Sequence, residues 1–229
     1  MNNLKIKIIY EDNHLLVVEK PVNLPVQADA SGDLDLLTHL KVDLKERYQK
    51  PGEVYLGLVH RLDRPAGGVM VLAKTSKAAA RLSGQVRERE LIKVYHAVVR
   101  GVPKLPQATL RDYLWKENEK NMVKVVAASM PGAKEAVLNY QLISTEQGLS
   151  LMRIRLHTGR AHQIRVQFAN LGHPLYGDQR YGALLNQPGQ QLALWATSLT
   201  LSHPTKREDM TFASELPQLK PWNLFGIFL

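Results

Sequence analysis

The first strong pattern in the chain is an alternation. Leu4, Ile6 and Ile8 are spaced by lysines, Glu11-Asp12-Asn13 offers a turn, and the apolar run Leu15-Leu16-Val17-Val18 follows. That combination predicts a β-hairpin. The spacing changes to three and four at Leu37, Leu40, Leu44 and Tyr48, and again at Ala79, Leu82 and Val86 behind Thr75, a residue suited to an N-cap. Both segments read as amphipathic helices. Between them Val69-Met70-Val71-Leu72-Ala73 is apolar at every position, as a strand buried on both faces requires, and Pro65 with Gly67-Gly68 supplies a tight turn before it. From Leu149 to His157 the alternation returns with Met152, Ile154 and Leu156 on one face and Arg153, Arg155 and His157 on the other. One face is core and the other basic. Thr158-Gly159 then turns the chain into a helix striped by Ala161, Ile164, Phe168 and Leu171 and closed by Gly172, with Arg165 beside the stripe so that its head emerges at the helix edge. Residues 103–136, rich in proline and glycine and carrying a charged run from Lys116 to Lys120, read as an excursion joining two halves of one sheet. There is no internal repeat or low-complexity tract.

Composition narrows the class. A chain of 229 residues holds a core large enough to need no staples. It contains no cysteine, which excludes disulfides, thiolate catalysis and cysteine-ligated metal. A net charge of +9 points to a polyanionic partner. Residues 1–20 lack an apolar core of signal-peptide length and no stretch approaches membrane-spanning length, so a cytoplasmic protein that does not engage a membrane is expected.

The residues with most chemical content are His60-Arg61-Leu62-Asp63-Arg64, directly before the buried strand. A loop carboxylate fixed by a rigid strand suits catalysis, and a surface ion pair with Arg61 or Arg64 would explain it equally well from spacing alone. Arg165 reads either as a solvated flank residue or as a charge presented to a cleft. His60, His157 and His162 are spaced like no compact metal motif, so no metal is expected.

His60-Arg61-Leu62-Asp63, the Gly67-Gly68 turn and a strand ending in Ala73-Lys74 resemble the signature loop of the RluA-type pseudouridine synthases. Val94-Tyr95-His96-Ala97-Val98-Val99-Arg100-Gly101 resembles that family's tyrosine strand, and Thr158-Gly159-Arg160-Ala161-His162-Gln163-Ile164-Arg165 its second signature. Gly172-His173-Pro174, Gly177-Asp178, Tyr181-Gly182 and Ser202-His203-Pro204 continue the pattern in order. The chain departs from it at Ala66-Gly67, where the family usually has Thr-Ser, and at Gln167, where it usually has His.

The resemblance implies one α+β domain over residues 1–229 with the pseudouridine synthase fold. Its features are a mixed, mainly antiparallel sheet, flanking helices and a central active-site cleft. The separate N-terminal S4-like RNA-binding domain of many relatives is expected to be absent, because the hairpin starts within ten residues of Met1. The implied reaction isomerises uridine in ribosomal or transfer RNA. The N1–C1′ bond breaks, the base turns over, and C5 bonds to C1′, without cofactor or metal. The resemblance gives Asp63 the role of carboxylate at C1′, as nucleophile or as base, and makes Arg165 its ion-pair partner. Tyr95 becomes the aromatic that stacks on uracil and assists loss of the C5 proton, although a tyrosine in a strand also fits plain packing. Arg61 would fill the gap left by the flipped base, with Arg153, Arg155 and Arg160 as further RNA contacts. A monomer with RNA as its partner, and no obligate protein partner, completes the expectation. Two rivals remain open: an inactive RNA-binding protein of the same fold, and a nucleoside hydrolase.

Overall fold

A computed structural model describes residues 4–117, 119 and 121–226 of the chain. In chain order the elements are β1 (Lys7–Glu11), β2 (Leu15–Lys20), α1 (Leu36–Arg47), β3 (Gly57–Leu58), β4 (Gly67–Ala73), α2 (Ser76–Arg87), β5 (Ile92–Arg100), β6 (Gln107–Glu117), β7 (Met122–Val126), β8 (Lys134–Glu146), β9 (Leu149–Leu156), α3 (Gln163–Asn170), β10 (Leu194–Ser202) and β11 (Asp209–Ala213). This is an α+β fold with a mixed, mainly antiparallel sheet. The backbone falls into two compact units, residues 1–91 with 198–214, and residues 92–197 with 215–229.

In the first unit the hairpin forms at the predicted turn. Asp12 accepts hydrogen bonds from the backbone N–H groups of His14 and Leu15, both at 2.7 Å, which closes an Asx-type turn. β2 then pairs antiparallel with β4, Leu15 opposite Ala73 through Lys20 opposite Gly68. Every residue of β4 is buried, as its unbroken apolar run requires. α2 carries the Thr75 cap expected from the sequence, accepting from the Ala78 N–H, and α1 is capped by Asp35, which accepts from the Thr38 N–H. The buried stripe of α1 is Leu36, Leu40 and Leu44; Leu37 lies off it and Tyr48 is half exposed beyond its end. The stripe is set by a strict step of four.

The second unit has the strand order β5-β9-β8-β6-β7. Here the structure corrects the reading of residues 103–136. They supply β6, β7 and the start of β8, strands within the sheet and not a connection between its halves. In the charged run Lys116–Lys120, Asn118 and Lys120 lie outside the described residues. β9 has the predicted two faces, with Met152, Ile154 and Leu156 buried and Arg153 and Arg155 exposed. α3 is short and buried almost all round. Among the described residues no helix is long and apolar enough to cross a membrane.

Candidate active site

Asp63 sits in the loop between β3 and β4, half-buried, and its carbonyl accepts the Ala66 N–H at 3.0 Å to close a turn. What holds this turn is a residue the sequence reading missed. Lys20, at the end of β2, is fully buried, and its Nζ donates to the carbonyls of Ala66 (2.8 Å), Pro21 (2.8 Å) and Arg64 (3.1 Å). Burial pushes its pKa down to about 7, against the opposing pull of the Asp63 charge. A further tie comes from His60, whose Nε2 accepts the Val71 N–H at 3.0 Å. The hydrogen bonds of Ala66 in this turn run through its backbone N–H and carbonyl and its methyl group is buried, so the small residue at this departure from the family pattern leaves the turn intact. Gly68, at φ +111, occupies a backbone region closed to side chains. Arg64 turns to Asp33, Ser31 and Asn23, whereas Arg61 is exposed.

In the second unit Tyr95 is buried in β5. Opposite residues in a ladder point to the same face. Tyr95 opposes Ile154, and Ile154 opposes Tyr140, whose ring lies 5.4 Å from that of Phe168 on α3. Tyr95 and α3 therefore share one side of this sheet. Arg165 on α3 is buried, contrary to the expected position at the helix edge. Its Nε and Nη2 donate to the two oxygens of Asp178, each at 2.8 Å. Its guanidinium carbon lies 5.2 Å from the centre of the Tyr181 ring. Burial would raise the Asp178 pKa, but the Arg165 hydrogen bonds and charge, with the N–H groups of Tyr181 and Arg180, outweigh it and hold the carboxyl below its ordinary value. Gly177, beside Asp178, lets the backbone at Gln191 pass close against it: at φ +76, a Cβ there would lie 2.1 Å from the Gln191 carbonyl oxygen. Gln167, at the other departure, donates to Asp112 at 2.7 Å and so ties α3 to β6. The amide is a neutral donor to that carboxylate.

The remaining arginines divide. Arg160 donates through Nε to the Glu135 carbonyl at 2.8 Å, latching the chain before α3 to β8. Arg153 and Arg155 oppose His96 and Val94 on β5, so they emerge on the face away from Tyr95. Lys93, two residues before Tyr95 and on its face, escaped the sequence reading; burial pushes its pKa down. Asp178 was visible only as part of a motif. Among the described residues, no three His, Asp or Glu side chains gather to hold a metal ion.

Residues 14–170 match the family model for RNA pseudouridylate synthase. The chain belongs to the RNA pseudouridylate synthase family. It is accordingly an isomerase acting on uridine in RNA. An uncharacterized RNA pseudouridine synthase of Aquifex aeolicus is 36% identical over 243 residues, covering 94% of this chain and 71% of that protein. The ribosomal large subunit pseudouridine synthase D of Zymomonas mobilis is 35% identical over 227 residues, with the same two shares. Among solved structures, human RNA pseudouridylate synthase domain containing 4 superposes with a TM-score of 0.77 at 25% identity, covering 93% of this chain and 89% of that one. In this RNA pseudouridylate synthase the fold expected from the signature motifs is thus present.

Proposed function

We propose that this pseudouridine synthase modifies uridine in large-subunit ribosomal RNA in the cytoplasm, with Asp63 as its essential carboxylate. The ribosomal assignment is supported by the relatives named as synthase D. The role of Asp63 rests on one observation above all. A fully buried lysine holds the carbonyls of Arg64 and Ala66 in the acid's turn and that of Pro21 beside it, which supports a backbone at Asp63 that is fixed before substrate arrives. The reaction needs a carboxylate at C1′ and a positive charge that keeps it ionised. It also needs an aromatic face for the base and a prop for the space the flipped nucleotide leaves. Asp63, Arg165, Tyr95 and Arg61 supply groups of these kinds. Whether the acid attacks C1′ or removes a sugar proton, the glycosidic bond breaks and C5 must lose its hydrogen.

Large-subunit ribosomal RNA transcribed with tritium at C5 of uridine tests this directly. The expected result is tritium released to water, an unbroken RNA chain and an undiminished rate in excess EDTA. Tritium retained on ribosomal RNA but released from transfer RNA would overturn the ribosomal assignment. Tritium on free uracil would make the protein a hydrolase, and retention on both RNAs would make it a silent binder.

A further inference from the structure

The side of β6, β8 and β9 turned away from Tyr95 carries an open groove of about 590 Å³ that the reaction does not use. Arg153 and Arg155 line one wall; Gln141 and Asn139 stand opposite them on β8, and Gln107 and Thr109 opposite those on β6. No carboxylate lines it. Among the described residues neither arginine side chain has an ion-pair or hydrogen-bond partner, although the same sheet contains acids that pair with Arg111 and Lys124. These two exposed arginines stem from Cα atoms about 6.6 Å apart on one strand face, from the rise of a strand over two residues. That separation is comparable with the spacing of consecutive phosphates in one nucleic-acid strand.

The groove's other groups favour RNA over an acidic polypeptide. Asn139 donates to Thr109 at 2.8 Å, and its carbonyl oxygen accepts from Nε2 of His157. This arrangement leaves Nδ1 of His157 as an acceptor at the groove. Burial and the nearby Arg155 keep that ring below its ordinary pKa and so neutral. An acceptor beside two cations has a use for a ribose 2′-hydroxyl next to phosphate, and none for a carboxylate.

We propose that this face is a second RNA-binding surface, which holds a single-stranded flank of the substrate by its phosphates along Arg153 and Arg155. The inference rests on the synthase reading for the identity of the RNA. Its test does not depend on catalysis. Binding of a fluorescein-labelled oligouridylate is measured against salt concentration for the wild type, for Arg153→Gln/Arg155→Gln, for Arg153→Lys/Arg155→Lys, and for a control of equal charge, Lys45→Gln/Arg87→Gln. Each variant is checked for an unchanged melting profile.

The groove variant should lower the slope of log affinity against log salt by about 1.4, roughly 0.7 for each phosphate of a single strand that is no longer neutralised. The lysine pair should keep the slope. A 4-thiouridine oligonucleotide should crosslink to peptides within residues 107–109 or 134–157. An unchanged slope in the groove variant, an equal fall in the control, or crosslinks confined to other segments would overturn the proposal. Tritium release by the wild type, read separately, reports on the synthase assignment.

Discussion

Arg165 and Asp178 meet as a fork on a carboxylate, both bonds 2.8 Å long, in surroundings where the acid is 1% and the arginine 6% exposed. A charge pair sealed from water in this way costs little while both members are present and much when one is removed. Asp178→Asn should therefore destabilise the protein by about 3–5 kcal/mol, measured by urea unfolding. Asp178→Asn with Arg165→Met should cost less than the two single losses added together. A single-variant cost below about 1 kcal/mol would mean that the guanidinium finds equivalent partners.

Asp63→Asn preserves volume and removes the charge. Turnover of tritiated RNA should fall by several orders of magnitude, with melting behaviour and RNA affinity near those of the wild type. Activity within about tenfold of wild type would remove Asp63 from the chemistry. If Asp63 and Arg165 act as one unit, the loss in Asp63→Asn/Arg165→Met should be far smaller than the sum of the separate losses.

Tyr95 distinguishes stacking from proton transfer. Tyr95→Phe keeps the ring and Tyr95→Leu removes it. A dead phenylalanine variant would assign the hydroxyl to loss of the C5 proton. An active phenylalanine variant with an inactive leucine variant would assign the residue to stacking, and an active leucine variant would leave only packing.

The buried Lys20 ties stability to pH. Its pKa is about 7 in the folded chain and about 10.4 when unfolded. Across that interval the unfolded chain holds a proton the folded chain has released, so this residue's contribution to stability rises with pH. Lys20→Met should destabilise by about 1–3 kcal/mol at pH 7, because it strands buried carbonyls. The gap from wild type should be wider at pH 9. A gap that narrows would show that Lys20 stays protonated when folded.

His96 runs on a lower window. Burial first, then the Arg153 charge, push its pKa down to about 4, and its Nδ1 is hydrogen-bonded to Thr197 Oγ1 at 2.8 Å. Between pH 6.5 and 4 the unfolded chain takes up a proton that the folded chain refuses, so acid erodes stability there. By NMR titration, Arg153→Gln should move the His96 pKa upward while leaving it below 6.5. No movement would mean that burial alone sets it.

Strong local signals made much of this architecture readable from sequence. Asp12 at its turn, Thr75 at its cap and the unbroken apolar run of β4 each state their structure within a few residues. β6 did not, because almost none of its positions is fully buried. Its positions alternate only between exposed and half-buried, a weak signal that the surrounding prolines, glycines and charges outweighed. The site was legible as motifs and less so as geometry. Nothing near Arg165 announces that its partner lies thirteen residues later, or that Lys20 reaches the turn of Asp63 from another strand. That Tyr95 and Arg153 lie on opposite faces of the sheet follows only from the pairing register, which no single strand contains.

That register makes β9 sensitive to chain length in an uneven way. One residue inserted between Leu151 and Arg155 would exchange the faces from that point on, sending guanidinium groups toward Tyr95 and apolar side chains into water. The same insertion at the exposed turn formed by Gln147 and Gly148, which joins β8 to β9, would leave both faces in place and disturb the turn and the bond its Gly148 carbonyl accepts from the Gly101 N–H. Related chains that keep both faces should thus vary in length at this turn and hold the strand constant.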